Sequence, residues 1–301
     1  MRDFLSSDLL VKVPGDRYLG LRRQLAGADI VHTLELGNPW SAQPAALRER
    51  LGFKLVVTAW ETIPLLGTYR YLRGRAQRRR TLAAADLFLA TTQRARDCLV
   101  LEGVPPERIE VCPPGVDVER FGAVARRPEV VVSAGRLVWE KGHQDVLRAL
   151  GAIRRGLVPG EPPRLVIVGT GPEEERLRRH AADLGVADLV EIRRAAYAEM
   201  PGILGRANCL VLASLATSVW EEQFGMVLAE AMAAGVPIVA STSGAIPEVV
   251  GPDAGLFAPG DWLGLARALV ADLAPPAGAE AFSLAAAADR LAAAYDRVLA
   301  A

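Results

Sequence analysis

Residues 218–251, SVWEEQFGMVLAEAMAAGVPIVASTSGAIPEVVG, constrain the chain more than any other stretch. Two glutamates, Glu222 and Glu230, flank Phe224-Gly225 with seven residues between them. Residues 225–234 are strong helix formers, and Gly235 closes the run as a C-terminal cap. Glu222 is therefore expected just before a helix and Glu230 inside it. A helix that begins at a glycine lets a ligand approach its unpaired backbone N–H groups, and its dipole favours an anion there. That describes a seat for phosphate. VPIVAS then reads as a strand, and residues 242–247 as a small-residue turn into a second helix. Strand, loop and helix in this order are the repeating unit of an open parallel sheet, so the stretch predicts an α/β protein.

At 301 residues the chain exceeds what one hydrophobic core usually serves, which predicts two domains. In the first, residues 9–13, 29–33, 54–58, 86–91 and 109–112 are short apolar or β-branched runs that alternate with helical patterns, predicting parallel strands. The second starts after Arg126-Arg127-Pro128. There VVVSAG, a loop over 136–142 and the helix HQDVLRAL make one unit, and LVIVGTGPEEERLRRHA begins the next. Residues 189–192, 209–213, 237–241 and 255–258 continue its sheet. The domains are placed at 1–122 and 123–282, followed by 283–301, a final helix with apolar residues at helical spacing.

Charge excludes one large class of function. Lys plus Arg and Asp plus Glu both number 35, whereas proteins that bind nucleic acid in bulk carry a clear basic excess. Only Lys12, Lys54 and Lys141 are lysines, so a lysine beside a ligand would stand out. Cys98, Cys112 and Cys209 lie far apart in apolar contexts, as small buried side chains of a reducing compartment do. His32, His143 and His180 form no metal-ligand spacing with them. No apolar run approaches the roughly 20 residues of a membrane helix, and residues 1–13 lack a signal-peptide core; the expectation is a cytoplasmic protein. Residues 69–80, YRYLRGRAQRRR, are basic, with Arg70, Arg73 and Arg80 near one helical stripe and Arg75, Arg78 and Arg79 round the other faces. The run reads as solvated surface, or as a patch for an anionic lipid-linked acceptor or the inner membrane face, each basic residue contributing on the order of 1 kcal/mol.

The Glu-x7-Glu pair around Phe-Gly resembles the mark of the nucleotide-sugar-dependent retaining glycosyltransferases of group 1, glycosyltransferase family 4. ADIVHTLE, FKLVVTAWETIP and the phrase from ADLFLATT to DVERF look like that family's acceptor-side domain, in the family's order. The resemblance implies two Rossmann-like domains facing a cleft, the GT-B architecture, with the final helix crossing back onto the first. It implies transfer of a sugar from a nucleotide diphosphate sugar of the UDP or GDP type to a hydroxyl of a sugar or lipid-linked acceptor. Retention is implied, with no metal and no other cofactor. In GRLVWEKG, Arg136 and Lys141 match the Arg and Lys that hold the diphosphate. Negative charge grows on that leaving group, and fixed positive charge beside it is the largest catalytic term on offer. Glu222 matches the glutamate beside the donor sugar and completes the implied catalytic set; Glu221 lacks the spacing. Glu230 matches the glutamate that accepts both ribose hydroxyls, which one carboxylate can do. Backbone groups of Gln223, Phe224, Gly225, Met226 and Val227 are implied to contact sugar and β-phosphate. Gly135, the turn glycines Gly169 and Gly171, and Arg194 at a strand end are implied on the donor side, Arg194 towards the base. The implied reaction is front-face attack in which the leaving phosphate helps to take the proton, so Glu222 is not assigned as a covalent nucleophile.

The sequence departs from the family in two places. Relatives open with a strand and a glycine-rich loop, whereas only 28 residues precede Asp29 here and they hold no such loop. The first strand of a doubly wound sheet is normally central. The first domain is therefore expected to be incomplete, through a start upstream of Met1 or a reduced gene, and the chain to bind donor but transfer sugar poorly. In VVTAWETIP, Trp60 and Glu61 stand where many relatives place a histidine near the reacting carbon. They read either as packing and a solvated loop residue, or as an acceptor-side pair with Glu61 facing the cleft. A phosphorylase or synthase on a small sugar, and a non-catalytic nucleotide-sugar-binding remnant or partner subunit, stay open as alternatives.

Overall fold

The computed structural model describes residues 12–13, 17–66 and 72–301; the expectations for 9–11 and for 69–71, Arg70 among them, lie outside the described residues. The chain divides into two compact units, Met1–Pro113 with Ala288–Ala301, and Pro114–Ala287.

In the first unit β1 (Lys12–Val13) pairs antiparallel with β2 (Arg17–Tyr18). This corrects the expectation of a parallel strand at Lys12-Val13. Three residues separate the two strands, enough for a hairpin, while a parallel partner needs a crossover of a dozen or more. There follow α1 (Leu21–Leu25), β3 (Ile30–Leu34), α2 (Pro39–Leu51), β4 (Lys54–Ala59), α3 (Leu72–Ala84), β5 (Leu87–Ala90), α4 (Gln93–Leu101) and β6 (Ile109–Val111). Strands β3-β4-β5-β6 form a parallel sheet in chain order, each within two residues of its expected bounds.

Side chains alternate across a strand, and here both faces are covered. Leu55, Val57 and Ala59 of β4 enter one core with Phe53, Phe88 and Leu99. Val56 joins Leu87 and Leu89 on the other face, closed by Ala294 and Val298 of the C-terminal helix. A parallel strand buried on both faces is apolar there, which is why residues 55–57 and 87–90 read as unbroken apolar runs. His32 of β3 contacts Tyr295 Oη through Nδ1 and Thr58 Oγ1 through Nε2, both at 2.7 Å. Burial pushes its imidazole down to about 4.

One member of the basic run is not on the surface. Arg78 is 7% exposed and pairs with Glu102, because it shares an inward stripe of α3 with the buried Thr81. Arg75, Arg79 and Arg80 are exposed.

The second unit contains α5 (Val118–Gly122), β7 (Val130–Ala134), α6 (His143–Arg154), β8 (Leu165–Val168), α7 (Glu174–Asp183), β9 (Val190–Arg193), α8 (Met200–Gly205), β10 (Ala207–Leu212), α9 (Met226–Ala233), β11 (Ile238–Ser241), α10 (Ile246–Val250), β12 (Gly255–Phe257) and α11 (Trp262–Leu269). The last helix, α12 (Leu284–Ala300), starts in this unit and ends in the first. The sheet order is β12-β11-β10-β7-β8-β9, all parallel. The chain runs outward from β7 to β9, then returns to β10 on the other side of β7. That reversal is a topological switch point, and open α/β sheets bind ligands at the carboxyl ends of the strands there. Helix α5 belongs to this unit, capped by Asp117 and anchored by the fully buried Phe121, so the boundary falls at Pro113-Pro114 rather than after residue 122. No helix among the described residues is long and apolar enough to cross a membrane.

Candidate active site

Two loops meet at the switch point. After β7 the chain turns at Gly135 into Arg136, then a short helical turn, Trp139–Lys141. His143 supports that turn: its Nε2 donates to the Arg136 carbonyl at 3.2 Å, and Ser133 Oγ donates to its Nδ1 at 2.9 Å. Burial pushes the imidazole down to about 4, so it stays neutral. The other loop leaves β10 and carries Glu222 to the start of α9.

Lys141 Nζ donates to Glu222 Oε2 at 2.6 Å, and Ser214 Oγ donates to the same oxygen at 2.6 Å. Glu222 is buried, and the Trp220 ring lies 5.4 Å from Lys141 Nζ. Arg136 is exposed at the start of the turn.

The small residues of 241–245 build this loop. Ser241 Oγ donates to Ser214 O at 2.6 Å, Ser243 Oγ to Leu215 O at 2.7 Å, and Glu222 N to Ser243 Oγ at 3.3 Å. Ala245 N donates to Glu222 O at 2.9 Å. Gly244 has φ 56°, and a Cβ there would stand 2.0 Å from Glu222 O, so only glycine fits. Gly169 and Gly171 have a similar reason. A Cβ on Gly169 would fall 1.8 Å from Gly135 O and one on Gly171 2.3 Å from Leu137 O, where the loop after β8 packs backbone to backbone on the loop after β7.

Gly225 is the N-cap of α9 and Ala234 its C-cap, with Gly235 following at φ 64°. Gln223, Met226 and Val227 are half-buried around that start. Phe224 is buried and packs edge-on against Phe282 at 5.4 Å, which leaves only its backbone for a ligand. Glu230 is 5% exposed within α9, and burial holds its carboxyl above the usual range against a hydrogen bond from the Tyr197 hydroxyl. Arg120 lies over the Tyr197 ring at 5.1 Å, and its Nη2 donates to Tyr197 O at 3.3 Å. Arg194 is exposed just past β9.

Trp60 and Glu61 follow β4 in the first unit. Trp60 N donates to Glu35 Oε1 at 2.9 Å, while Glu61 Oε1 accepts from Thr62 N and Ile63 N at 2.9 and 2.8 Å. Burial raises the Glu35 carboxyl, and the nearby Glu61 adds to the shift.

Sequence reading missed Ser214, Trp220, Tyr197, Arg120 and His143. They are joined to the site by contacts that no spacing reports.

Solved structures share this architecture. Anabaena HepE in complex with UDP has a TM-score of 0.74 at 18% identity, covering 92% of this chain and 81% of that one. Sucrose-phosphate synthase from Thermosynechococcus elongatus has 0.71 at 22% identity, covering 91% and 74%. They define the fold class as two Rossmann-like α/β domains, the GT-B fold, and at such identities they carry the fold alone. Residues 118–275 match the profile of the glycosyl transferases group 1, and residues 4–120 that of Glycosyltransferase Family 4. The chain belongs to the glycosyl transferases group 1 family. The GDP-mannose-dependent alpha-(1-6)-phosphatidylinositol monomannoside mannosyltransferase of Mycolicibacterium smegmatis is 33% identical over 254 residues, 76% of this chain and 63% of that protein. The MMP alpha-(1->4)-mannosyltransferase of Mycolicibacterium hassiacum is 34% identical over 184 residues, 59% of this chain and 42% of that protein. This chain thus spans less than two thirds of the length of either relative.

Proposed function

We propose that the protein moves a sugar from a nucleotide diphosphate sugar to a hydroxyl of a sugar or lipid-linked acceptor, with retention and without a divalent metal. The observation that carries this reading is the Lys141–Glu222 pair at the switch point, with Arg136 on the same loop and α9 starting four residues after Glu222. In this reading Arg136 and Lys141 face the diphosphate, where a guanidinium offers a fork and an ammonium a compact charge. The N-terminal N–H groups of α9 add to them. Glu222 holds a donor-sugar hydroxyl, and Glu230 takes the ribose hydroxyls beside Tyr197. The bond from C1 to the phosphate oxygen breaks with its electron pair on that oxygen. The acceptor hydroxyl attacks C1 from the same face, and its proton passes to the leaving phosphate.

The names of the mannosyltransferase relatives make GDP-mannose the first donor to try, with UDP sugars beside it. The exposed Arg75, Arg79 and Arg80 support a peripheral contact with an anionic lipid headgroup on the cytoplasmic membrane face. The test is to incubate the chain with each donor and an acceptor panel in excess EDTA and to read the product anomer by NMR. An α-linked product from an α-donor, undiminished by EDTA, is expected. Inversion, or dependence on added metal, would refute the corresponding part of the reading. Tight nucleotide binding with no turnover on any acceptor would leave a nucleotide-sugar-binding protein instead.

A further inference from the structure

The ring of Trp220 lies over the ammonium that the donor reading assigns to the diphosphate, and the chain goes to some length to fix it there. Thr217 N and Thr217 Oγ1 both donate to Trp220 O, at 2.8 and 3.3 Å, and Val219 N donates back to Thr217 Oγ1 at 3.3 Å. The loop is thereby pinned on both sides of Val219. The ring is half-buried, 5.4 Å from Lys141 Nζ.

Resting on that reading, we propose that Trp220 is a positioning residue: it holds the Lys141 ammonium in place for the diphosphate. A lysine stem is flexible, and one partner does not define where its charge stands. Glu222 supplies one partner, itself held by Ser214. A second carboxylate would fix the ammonium but cancel its charge and repel phosphate. An aliphatic side chain would keep the charge and let it swing. An aromatic face attracts the cation through its quadrupole while carrying no net charge, so it meets both requirements.

Two measurements test this. The chain has three lysines, so lysine labelled with 13C at Cε gives a spectrum in which Lys141 is readily assigned through Lys141→Ala. The ring current of Trp220 should move the Lys141 Hε resonance upfield in the empty protein, and Trp220→Ala should return it to the position of an exposed lysine. Calorimetric titration with GDP and UDP then gives the affinities of wild type, W220A, K141A and the double variant. W220A should weaken binding by about 3- to 30-fold when Lys141 is present, and by less than about twofold in the K141A background. W220F, which keeps an aromatic face, should retain most of the affinity. An unchanged Hε shift in W220A, or an equal loss in both backgrounds, overturns the proposal. A wild-type chain that binds neither diphosphate overturns the donor reading itself, whatever the lysine spectrum shows.

Discussion

Glu230 meets two opposed demands. In the proposed reading, ribose recognition needs it ionised, yet burial raises its pKa in the empty protein. A carboxyl whose folded pKa is raised contributes stability below its unfolded value, near 4.5, and loses that contribution as pH rises through the folded pKa. Glu230→Gln should therefore raise the melting temperature of the empty protein at pH 8, with a gain that shrinks towards pH 4. The same change should weaken nucleotide binding about 10- to 100-fold, the range for lost hydrogen bonds to a charged group. Thermal shift across pH, beside calorimetric titration, reads both effects; a gain that grows as pH falls would contradict the first. Glu222→Gln should act on turnover, by roughly 100-fold in kcat, with nucleoside diphosphate affinity changed far less. Equal effects on both would remove the distinction between the two glutamates. The placement of Glu222 just before α9, of Glu230 inside it and of Arg136 and Lys141 on the loop after β7 was legible in the sequence because short motifs fix their spacing. Ser214, Trp220 and Tyr197 were not, since each joins the site through a side-chain contact that no motif spacing reports. Arg78 reads as one more surface charge until the inward stripe of α3 takes it into the interior.

The loop that carries Glu222 is held by its own Thr217–Trp220 and Ser214–Glu222 bonds and, from beneath, by the turn over 241–245. Gly244 lies directly beneath the glutamate, and Gly244→Ala would combine a positive φ with a 2.0 Å approach to Glu222 O. The expected result is a loss of about 1–3 kcal/mol of stability from the backbone strain, with a fall in kcat larger than the change in diphosphate affinity. Chemical denaturation and steady-state kinetics measure the two; a stable, fully active variant would show that the turn does not position the glutamate. Elements buried on both faces, such as β4 and β5, were legible because burial forces unbroken apolar runs. The pairing of β1 was misread because two-residue strands carry too few side chains to report their partner, and α5 lies in the second unit, where Phe121 is buried edge-on to Tyr197.

Each unit has its own hydrophobic core and its own histidine that burial pushes down to about 4: the half-buried His32 in the first and the buried His143 in the second. Depressed histidines bind protons more readily when unfolded, so their contribution is complete above about 6.5 and is lost as pH falls towards about 4. Calorimetry should show two transitions that both move down over this interval, each unit losing up to roughly 3 kcal/mol. A saturating nucleoside diphosphate should raise only the transition of residues 114–287, and an equal rise in both would argue against independent units. The sharing of α12 has a further consequence, for synthesis. The sheet of the first unit is translated first, but Ala294 and Val298, which close one of its faces, leave the ribosome only after the whole second unit. At about 5–20 residues per second that is an interval of the order of ten seconds or more, during which Val56, Leu87 and Leu89 await their cover. A sheet made before the second unit is thus finished after it, and its need for a chaperone should be greatest in nascent chains halted before α12.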